Sequence, residues 1–199
     1  MTSNRLEAFS DGVLAIIITI MVLELISPEQ VTLESLIPII PTFVSYLFSF
    51  IYIGIYWNNH HHLFQITQKI NGRILWSNLH LLFWLSLIPF ATTWIGENYK
   101  AHVPVALYGF ILMMSAVAFF ILQRSIIKGH EENFILRTAV GRDLKGKISI
   151  TLYTFGVLIS FLNTWAALTC YVIVAIIWFI PDSRIEKTLD GSKKENVNG

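Results

Sequence analysis

Long uncharged stretches, separated by short segments that carry charge, dominate the chain. No Asp, Glu, Lys or Arg occurs within 35–59, 74–96, 101–123 or 148–181. About 20 apolar residues cross the roughly 30 Å of bilayer hydrocarbon, so the first three stretches have the length of single transmembrane helices. The fourth would form a helix of roughly 50 Å at about 1.5 Å per residue, so we expect it to fold back on itself.

A shorter apolar run, 12–23, lies near the N-terminus. Asn4 and Glu7 have the spacing of a capping box, so we predict that Asn4 caps the first helix. Apolar residues continue to Ile26, and Pro28 ends the pattern. Because an acidic residue precedes the run and no A-x-A cleavage site follows it, we interpret the run as a retained helix rather than a signal peptide.

Prolines and polar breaks place the remaining helices. We predict the second at about 36–61, the third at about 74–96 with a kink at Pro89, and the fourth from about 103 to beyond 123. The polar pair 163–164 offers a tight turn in the last stretch, with roughly sixteen residues on each side, near the lower limit for a span.

These elements predict an all-α membrane protein with six transmembrane helices. The transmembrane domain would cover 1–181, and the polar segment 182–199 would form a disordered cytoplasmic tail. Neither an internal repeat nor a half-helix that could carry a pore loop is visible in the sequence.

Six spans place both termini on the same side of the membrane, and the basic residues indicate which side. Of the 14 Lys and Arg residues, all except Lys100 lie on the side of the termini. The positive-inside rule therefore predicts cytoplasmic termini in the plasma membrane. The opposite side is acidic, because Lys100 is outnumbered there by Glu24, Glu29, Glu34 and Glu97.

The composition supports a membrane protein and argues against other classes. With 54% hydrophobic residues and a mean hydropathy of +0.61, the chain has more apolar side chains than a soluble domain of 199 residues can bury. A net charge of +1 without a basic stripe gives no reason to expect nucleic acid as a partner. Cys170 is the one cysteine, so neither a disulfide nor a thiolate metal site can form within the chain. We expect no cofactor, no metal and no enzymatic activity.

One face of the first helix carries a stripe of apolar and small residues. At about 100° per residue, Ser10 and Asp11 point away from this stripe. Its members are Phe9, Gly12, Ile16, Thr19, Ile20 and Leu23. Such a stripe is typical of helix packing or lipid contact, but it could also line a pore, where rings of branched side chains gate by dewetting. Asp11 would either face the bundle interior or remain hydrated in the headgroup layer.

A polar aromatic cluster, 56–62, ends the second helix and contains three successive histidines. Adjacent residues on a helix diverge by about 100°, so His60 and His61 cannot share one metal ion with their neighbour. Two interpretations remain open. The cluster forms an interfacial aromatic belt with solvated histidines, or one or two imidazoles form hydrogen bonds with Asp11 or Ser10 on the first helix.

Three segments of the sequence bear a family resemblance. Residues Arg5 to Asp11 read R-x-x-x-F-S-D at the start of the first helix, Tyr56-Trp57-x-x-His60-His61 lies on the second, and 85–92 reads L-S-L-I-P-F-A-T on the third. In these segments the chain resembles the prokaryotic relatives of the lysosomal potassium channel TMEM175, and the resemblance extends from residue 5 to about 180. It implies a potassium-selective homotetramer, without a pore loop, whose central pore is lined by the first helix.

The resemblance also implies residue roles. Ile16 would form the main hydrophobic constriction, and Ile20 and Leu23 would form further rings. Thr19 would supply a hydroxyl layer that favours potassium. An interhelical polar network that fixes the first helix would comprise Arg5, Ser10, Asp11, Trp57, His60 and His61.

The leading hypothesis is therefore passive potassium conduction through the lipid bilayer. The alternative is a secondary transporter or a proton-linked permease, although broken helices at the bilayer midplane are not evident. A membrane redox protein with histidine haem ligands is a third class, but His60 and its neighbours sit together at one helix end, and His80 is the one other histidine within the predicted helices.

Overall fold

The fold is described from a computed structural model, which covers residues 3–65, 67, 69–129 and 144–179. These residues form α-helices and one short 3-10 helix, with no β-strand among them. The helices are α1 Ser3–Leu23, α2 Ile40–Gln65, α3 Gly72–Ser86, α4 Ile88–Glu97, α5 His102–Gly129, α6 Leu144–Ile159 and α7 Thr164–Phe179, and the 3-10 helix is Glu34–Ile39. The predicted tail 182–199 lies outside the described residues.

The two ends of the first helix differ from the sequence prediction. Ser3 is already helical, so Asn4 lies within α1 and is not its cap. Glu7 instead contacts His61 on α2. The helix ends at Leu23, before Ile26, so the apolar residues beyond Leu23 belong to the connection to α2. Hydrophobicity alone therefore predicts too long a helix here.

The third predicted span is divided into two helices near Pro89, whereas the sequence predicted one helix with a kink. Leu87 forms a turn between α3 and α4, and Pro89 occupies the first turn of α4, where its missing amide costs no helical hydrogen bond. Asn71 caps α3, because its side-chain oxygen accepts a hydrogen bond from the Ile74 amide at 3.0 Å. The two helices together form one apolar segment, Gly72–Glu97.

The last apolar stretch forms the predicted helical hairpin. Residues 160–163 connect α6 and α7, which have 16 residues each. Asn163 stabilises the start of α7, because its Oδ1 accepts a hydrogen bond from the Ala166 amide at 3.1 Å. Close packing of the hairpin requires Gly156, since a Cβ there would lie 2.5 Å from the ring of Tyr171.

Within the part of the chain that the structure describes, four helical segments have the length and apolar composition to cross a membrane, and α7 is a shorter apolar helix. The four segments are Ser3–Leu23, Glu34–Gln65, Gly72–Glu97 and His102–Gly129. At about 1.5 Å per residue, α6 and α7 each extend roughly 24 Å, somewhat less than the hydrocarbon thickness. The chain is an all-α membrane protein.

The bundle has two ends, which we name from α1. At the proximal end, where α1 begins, the Ser3 hydroxyl donates to the Phe64 carbonyl at 3.1 Å. At the distal end, where α1 finishes, His102 Nδ1 donates to the Ser160 carbonyl at 2.7 Å. Among the described Lys and Arg residues, Lys100 is the one at the distal end.

Helix α5 forms the centre of the bundle and packs against α3, α4, α6 and α7. Helix α1 packs against α2, α3 and α4 on one face only. Buried residues on that face are Ser3, Leu6, Ser10, Leu14, Ile17 and Met21. Only 28% of the α1 span is buried, against 56% of the α5 span. Most of the α1 surface is therefore free within a single chain.

Candidate functional site

A buried hydrogen-bonded chain links α1 to α2 and α3 near the proximal end. The Asn78 side chain donates from Nδ2 to the Ser10 hydroxyl at 2.9 Å, and its Oδ1 lies 2.8 Å from His60 Nε2. Ser10 in turn donates to the Leu6 carbonyl at 2.9 Å. Because Asn78 Oδ1 can only accept, the imidazole proton lies on His60 Nε2.

All three polar side chains of this chain are shielded from solvent. Ser10 and Asn78 have no exposed surface, and His60 is 1% exposed. The His60 ring stacks on Phe64 with centroids 4.4 Å apart, and its Nδ1 has no hydrogen-bond partner among the described residues. Removing one member of such a chain leaves a buried donor or acceptor unpaired, which costs about 1–3 kcal/mol. The chain therefore fixes the rotation of α1 against its neighbours.

A second polar contact joins α1 to α2 one turn closer to the proximal end. His61 Nδ1 lies 2.5 Å from Glu7 Oε1, and Gln65 Nε2 donates to His61 Nε2 at 2.7 Å. Since the Gln65 amide is a donor, the Nδ1 proton of His61 points to the Glu7 carboxylate. The ring of Trp57 stacks on that of His61, with an interplanar angle of 18°.

Asp11 contacts Trp57 rather than a histidine. The indole Nε1 of Trp57 donates to Asp11 Oδ1 at 3.1 Å in a part of the surface that is exposed in the single chain. Arg5 is exposed and forms no hydrogen bond or ion pair with the described residues of its own chain. Five of the six predicted network residues therefore take part in contacts between helices, and Arg5 does not.

Two members of the polar contacts, Asn78 and Glu7, were missed by the sequence prediction. Asn78 is the one amide within the apolar stretch 74–96, and an amide inside a transmembrane segment is typical of an interhelical hydrogen bond. That signal was available. Glu7 was assigned to a helix cap, and its spacing from Asn4 gave no indication of His61 as its partner.

The histidine-rich end of α2 has no cluster of potential metal ligands among the described residues. Among the described residues, no group of three or more His, Cys, Asp or Glu side chains could hold a metal ion. His60 and His61 instead contact partners on two different helices, Asn78 on α3 and Glu7 on α1. The divergence of adjacent helical side chains explains this separation.

The predicted stripe on α1 coincides with its exposed face. Ile16 is 58% exposed, Ile20 43% and Leu23 78%, and Thr19 is exposed beside them. Ile17, in contrast, is 3% exposed and belongs to the core. The stripe is therefore not a packing surface of the single chain, which leaves lipid, a pore or another subunit as its environment.

The hydroxyl of Thr19 is oriented by its own helix. Its Oγ1 donates to the Ile16 carbonyl at 2.8 Å. This bond uses the hydroxyl proton, so the oxygen lone pairs are directed away from the helix and are free to accept or to coordinate a cation.

Carboxylates flank the distal end of the stripe. Glu24 and Glu97 line an open basin of about 510 Å³ together with Ile20, Phe90 and Trp94. Both carboxylates are exposed. The face of α1 thus passes from branched apolar side chains to negative charge within one turn.

Comparisons with known proteins agree on one family. Residues 5–89 match the family described as endosomal/lysosomal potassium channel TMEM175. A potassium channel of Chryseobacterium sp. (strain P1-3) is 59% identical over 196 residues, which cover 98% of this chain and 100% of that protein. The crystal structure of a lysosomal potassium-selective channel TMEM175 homolog from Chamaesiphon minutus matches with a TM-score of 0.75 at 28% identity, over 90% of this chain and 97% of that one.

A more distant relative is larger. The mouse endosomal/lysosomal proton channel TMEM175 is 26% identical over 192 residues, which cover 90% of this chain but 38% of the mouse protein. The bacterial relative, in contrast, matches over its whole length at high identity. Because sequence and fold agree across nearly the entire chain, the chain belongs to the TMEM175 family, which is a family of ion channels and not of enzymes.

Proposed function

We propose that this chain is the subunit of a potassium-selective channel, a homotetramer whose α1 helices surround a central pore. The observation that carries the proposal is the exposed stripe of α1, which one chain leaves uncovered although the opposite face of the helix is buried. The potassium channels among the relatives give the ion. One α1 cannot enclose a pore, so identical copies must complete it, and cyclic symmetry is the simplest closure.

In this arrangement the stripe forms successive apolar rings. Ile16 and Ile20 are one turn apart, a rise of about 6 Å, and Leu23 lies about 4.5 Å further along the axis. Ile16 forms the narrowest ring, because it is the first large branched side chain on the stripe after Gly12. Branched apolar rings exclude hydrated ions and gate by dewetting. Thr19 lies between the rings and offers its oxygen to a partly dehydrated potassium ion.

The polar contacts of α1 act as a rotational anchor. Apolar packing tolerates small rotations of a helix, whereas a hydrogen bond is directional. The Ser10–Asn78–His60 chain and the Asp11–Trp57 contact therefore hold the stripe toward the pore axis. Arg5 lies on the face of α1 that carries Ile16, about three turns away, and any partner that gives it a role in this anchor lies outside the described residues of its own chain.

The acidic basin at the distal end supplies cations to the pore. Glu24 and Glu97 lie beside Ile20, and each copy repeats the pair around the axis. Carboxylates collected at a pore mouth raise the local cation concentration and exclude anions. This increase in local cation concentration does not distinguish potassium from sodium. Selectivity would instead arise at the apolar rings and the Thr19 hydroxyl of α1.

Reversal potentials on purified protein in liposomes test the function. Under a potassium chloride gradient, a potassium channel shifts the zero-current voltage toward the potassium equilibrium potential, and replacing potassium by sodium on one side shifts it again. A transporter or proton-linked permease would require a second coupled ion, and an inert bundle would give no current.

Proton conduction is a second candidate, because several vertebrate relatives are proton channels of endosomes and lysosomes. A proton gradient across potassium-free liposomes distinguishes the two. A current that follows the proton gradient, with none under the potassium gradient, would replace the potassium assignment.

We also propose that both termini are cytoplasmic and that the protein resides in the plasma membrane. Val31→Cys, at a fully exposed distal position, should then react with an impermeant maleimide in intact cells. Lys128→Cys, at the proximal end of α5, should react only after permeabilisation. The native Cys170 is buried and provides a low background. The reverse pattern of labelling would invert the topology.

A further inference from the structure

A groove of about 520 Å³ lies at the distal end, between α2, α5 and α7. No residue of α1 lines it. Its floor contains the buried rings of Tyr52 and Tyr108, and Phe48, Leu168 and Val172 contribute to its apolar walls. The volume lies within the roughly 300–1,000 Å³ of sites that hold small molecules. The groove is distinct from the stripe and from the acidic basin.

The lining residues place the groove at the depth of the lipid tails. Most of them come from the distal halves of α2, α5 and α7, which begin at the distal end, and the others are Ile95 near the distal end of α4 and Tyr99 just after it. Helix α7 is apolar on every side, with Ile173, Ile176 and Phe179 exposed. A helix of this kind faces lipid where it does not face protein. The groove therefore opens toward hydrocarbon and not toward water.

The mouth of the groove carries the basic residue of the distal end. Tyr99 and Trp165 both line the groove, and their rings meet edge to face with centroids 5.9 Å apart. Lys100 Nζ lies over the Tyr99 ring, 5.4 Å from its centroid. Tyrosine, tryptophan and lysine are the residues that anchor at the level of lipid headgroups. The nearest acidic residue in sequence, Glu97, lines the basin on the α1 side and not the groove.

We propose that this groove binds one acyl chain of an anionic phospholipid, with the phosphate of that lipid at Lys100. The apolar walls of the groove would contact the acyl chain of the lipid, the Tyr99–Trp165 pair would lie at the membrane interface, and the ammonium group of Lys100 would contact the lipid phosphate. The charge selects the class of lipid, because a cation at the headgroup level favours anionic over zwitterionic lipids.

The floor of the groove is connected to α1 by hydroxyl groups. Tyr108 OH lies 2.9 Å from Ser49 Oγ, to which Thr92 Oγ1 donates at 2.6 Å. The same Thr92 hydroxyl is 3.9 Å from the sulfur of Met21 on α1. An acyl chain that packs on Tyr108 therefore supports a set of contacts that reaches α1, and lipid removal should lower the unfolding temperature of the bundle.

Native mass spectrometry of the purified full-length protein tests the site. The probes are phosphatidylglycerol and phosphatidylcholine with identical acyl chains, added separately and in competition. We expect the wild type to retain one phosphatidylglycerol per chain and to prefer it over phosphatidylcholine. Leu168→Trp fills the groove and should lose that lipid, whereas Ile176→Trp, on the exposed side of the same helix, should retain it. Lys100→Gln should abolish the preference between the two lipids.

Three results would overturn the proposal. The first is equal lipid retention by Leu168→Trp and the wild type. The second is an unchanged preference for phosphatidylglycerol in Lys100→Gln, a variant at an exposed position that does not challenge folding. The third is dissociation of the oligomer by Leu168→Trp, which would show that a second copy of the chain occupies the groove. None of these measurements involves ion flux, so they are independent of the proposed channel activity.

Discussion

Replacing Ile16 by Asn tests the proposed constriction directly. The side chain is 58% exposed in the single chain and lies one turn before Ile20 on the stripe. Its substitution therefore removes little intramolecular packing. In the assembled pore, however, it would place an amide from every subunit at the narrowest apolar ring. The perturbation thus acts on the pore and not on the fold of the subunit.

The expected magnitude follows from the interaction that the amide adds. A hydrogen bond or dipole contact to a charged group is worth about 1.5–3 kcal/mol, and a cation at the ring would gain at least one such contact. If the ring sets the barrier, its reduction by this amount raises conductance by roughly tenfold to a hundredfold. Discrimination between potassium and sodium should fall, because a wetted ring no longer requires dehydration.

The assay is single-channel recording, or flux through liposomes, with potassium on one side and sodium on the other. Conductance and reversal potential are measured on the same preparation, and the oligomeric state is checked beforehand. A rise in current with a reversal potential closer to zero is the expected result.

Ile176→Asn is the matched control, because Ile176 is 60% exposed but lies on α7, which is not among the helices that α1 mainly packs against. It should leave conductance and selectivity unchanged. Ile17, by contrast, is a core residue at 3% exposure, so Ile17→Asn tests folding rather than conduction. If Ile16→Asn behaves like the α7 control, α1 does not line the pore. If Ile16→Asn and Ile176→Asn change conductance and selectivity equally, the introduced amide acts by loosening the packing of the bundle and not by wetting the pore.

Two further predictions concern stability in detergent. Asn78→Ala removes a buried amide that forms two hydrogen bonds, and it should lower the free energy of unfolding by about 1–3 kcal/mol for each group left unpaired. Asp11→Ala should lower it less, because the indole partner of Asp11 is exposed. Thermal unfolding compares Asn78→Ala and Asp11→Ala with the control Asn98→Ala, which removes a surface amide bonded to the Trp94 carbonyl of the preceding helix. An equal drop in unfolding temperature for all three variants would refute the anchor. Gly156→Ala should destabilise by about 1–3 kcal/mol because its Cβ meets a buried tyrosine ring, whereas Gly54→Ala, with open space around it, should not. A neutral Gly156→Ala in the same melting experiment would contradict the hairpin packing described above.

The helices were predictable because charge and proline mark their ends in an apolar chain. The turn at 160–163 was located from one polar pair. The cost of proline in a helix interior predicted a kink at Pro89, where the structure has a break between two helices. The end of α1 was not predicted correctly, because the hydrophobic pattern continues to Ile26 although the helix ends at Leu23. Hydrophobicity reports the environment of a residue, and it cannot distinguish a helical from an extended backbone in that environment.

The sequence predicted part of the candidate site, because it identified five of the residues that make contacts between helices but not their partners Asn78 and Glu7. Sequence analysis identified the histidines and Ser10, and one of its two open interpretations was a direct hydrogen bond from an imidazole to Asp11 or Ser10. The structure inserts Asn78 from α3 between an imidazole and Ser10. Which helices lie side by side is decided by packing over the whole bundle, and helical periodicity in one segment contains no information about its neighbours. The pairing of Glu7 with His61 was missed for the same reason.

The distribution of polar contacts along α1 supports the proposal that its stripe lines a pore. Helices that face lipid need no fixed rotation, because lipid tails present the same surface to every side. Yet a rotation of α1 by one residue, about 100°, would replace Ile16 with Ile17 at the axis and bury the stripe. Directional bonds at Ser10 and Asp11 oppose that rotation, and they lie within two turns of Ile16. Such an anchor is costly to build inside a membrane, and a ring of identical side chains around an axis is the arrangement that requires it.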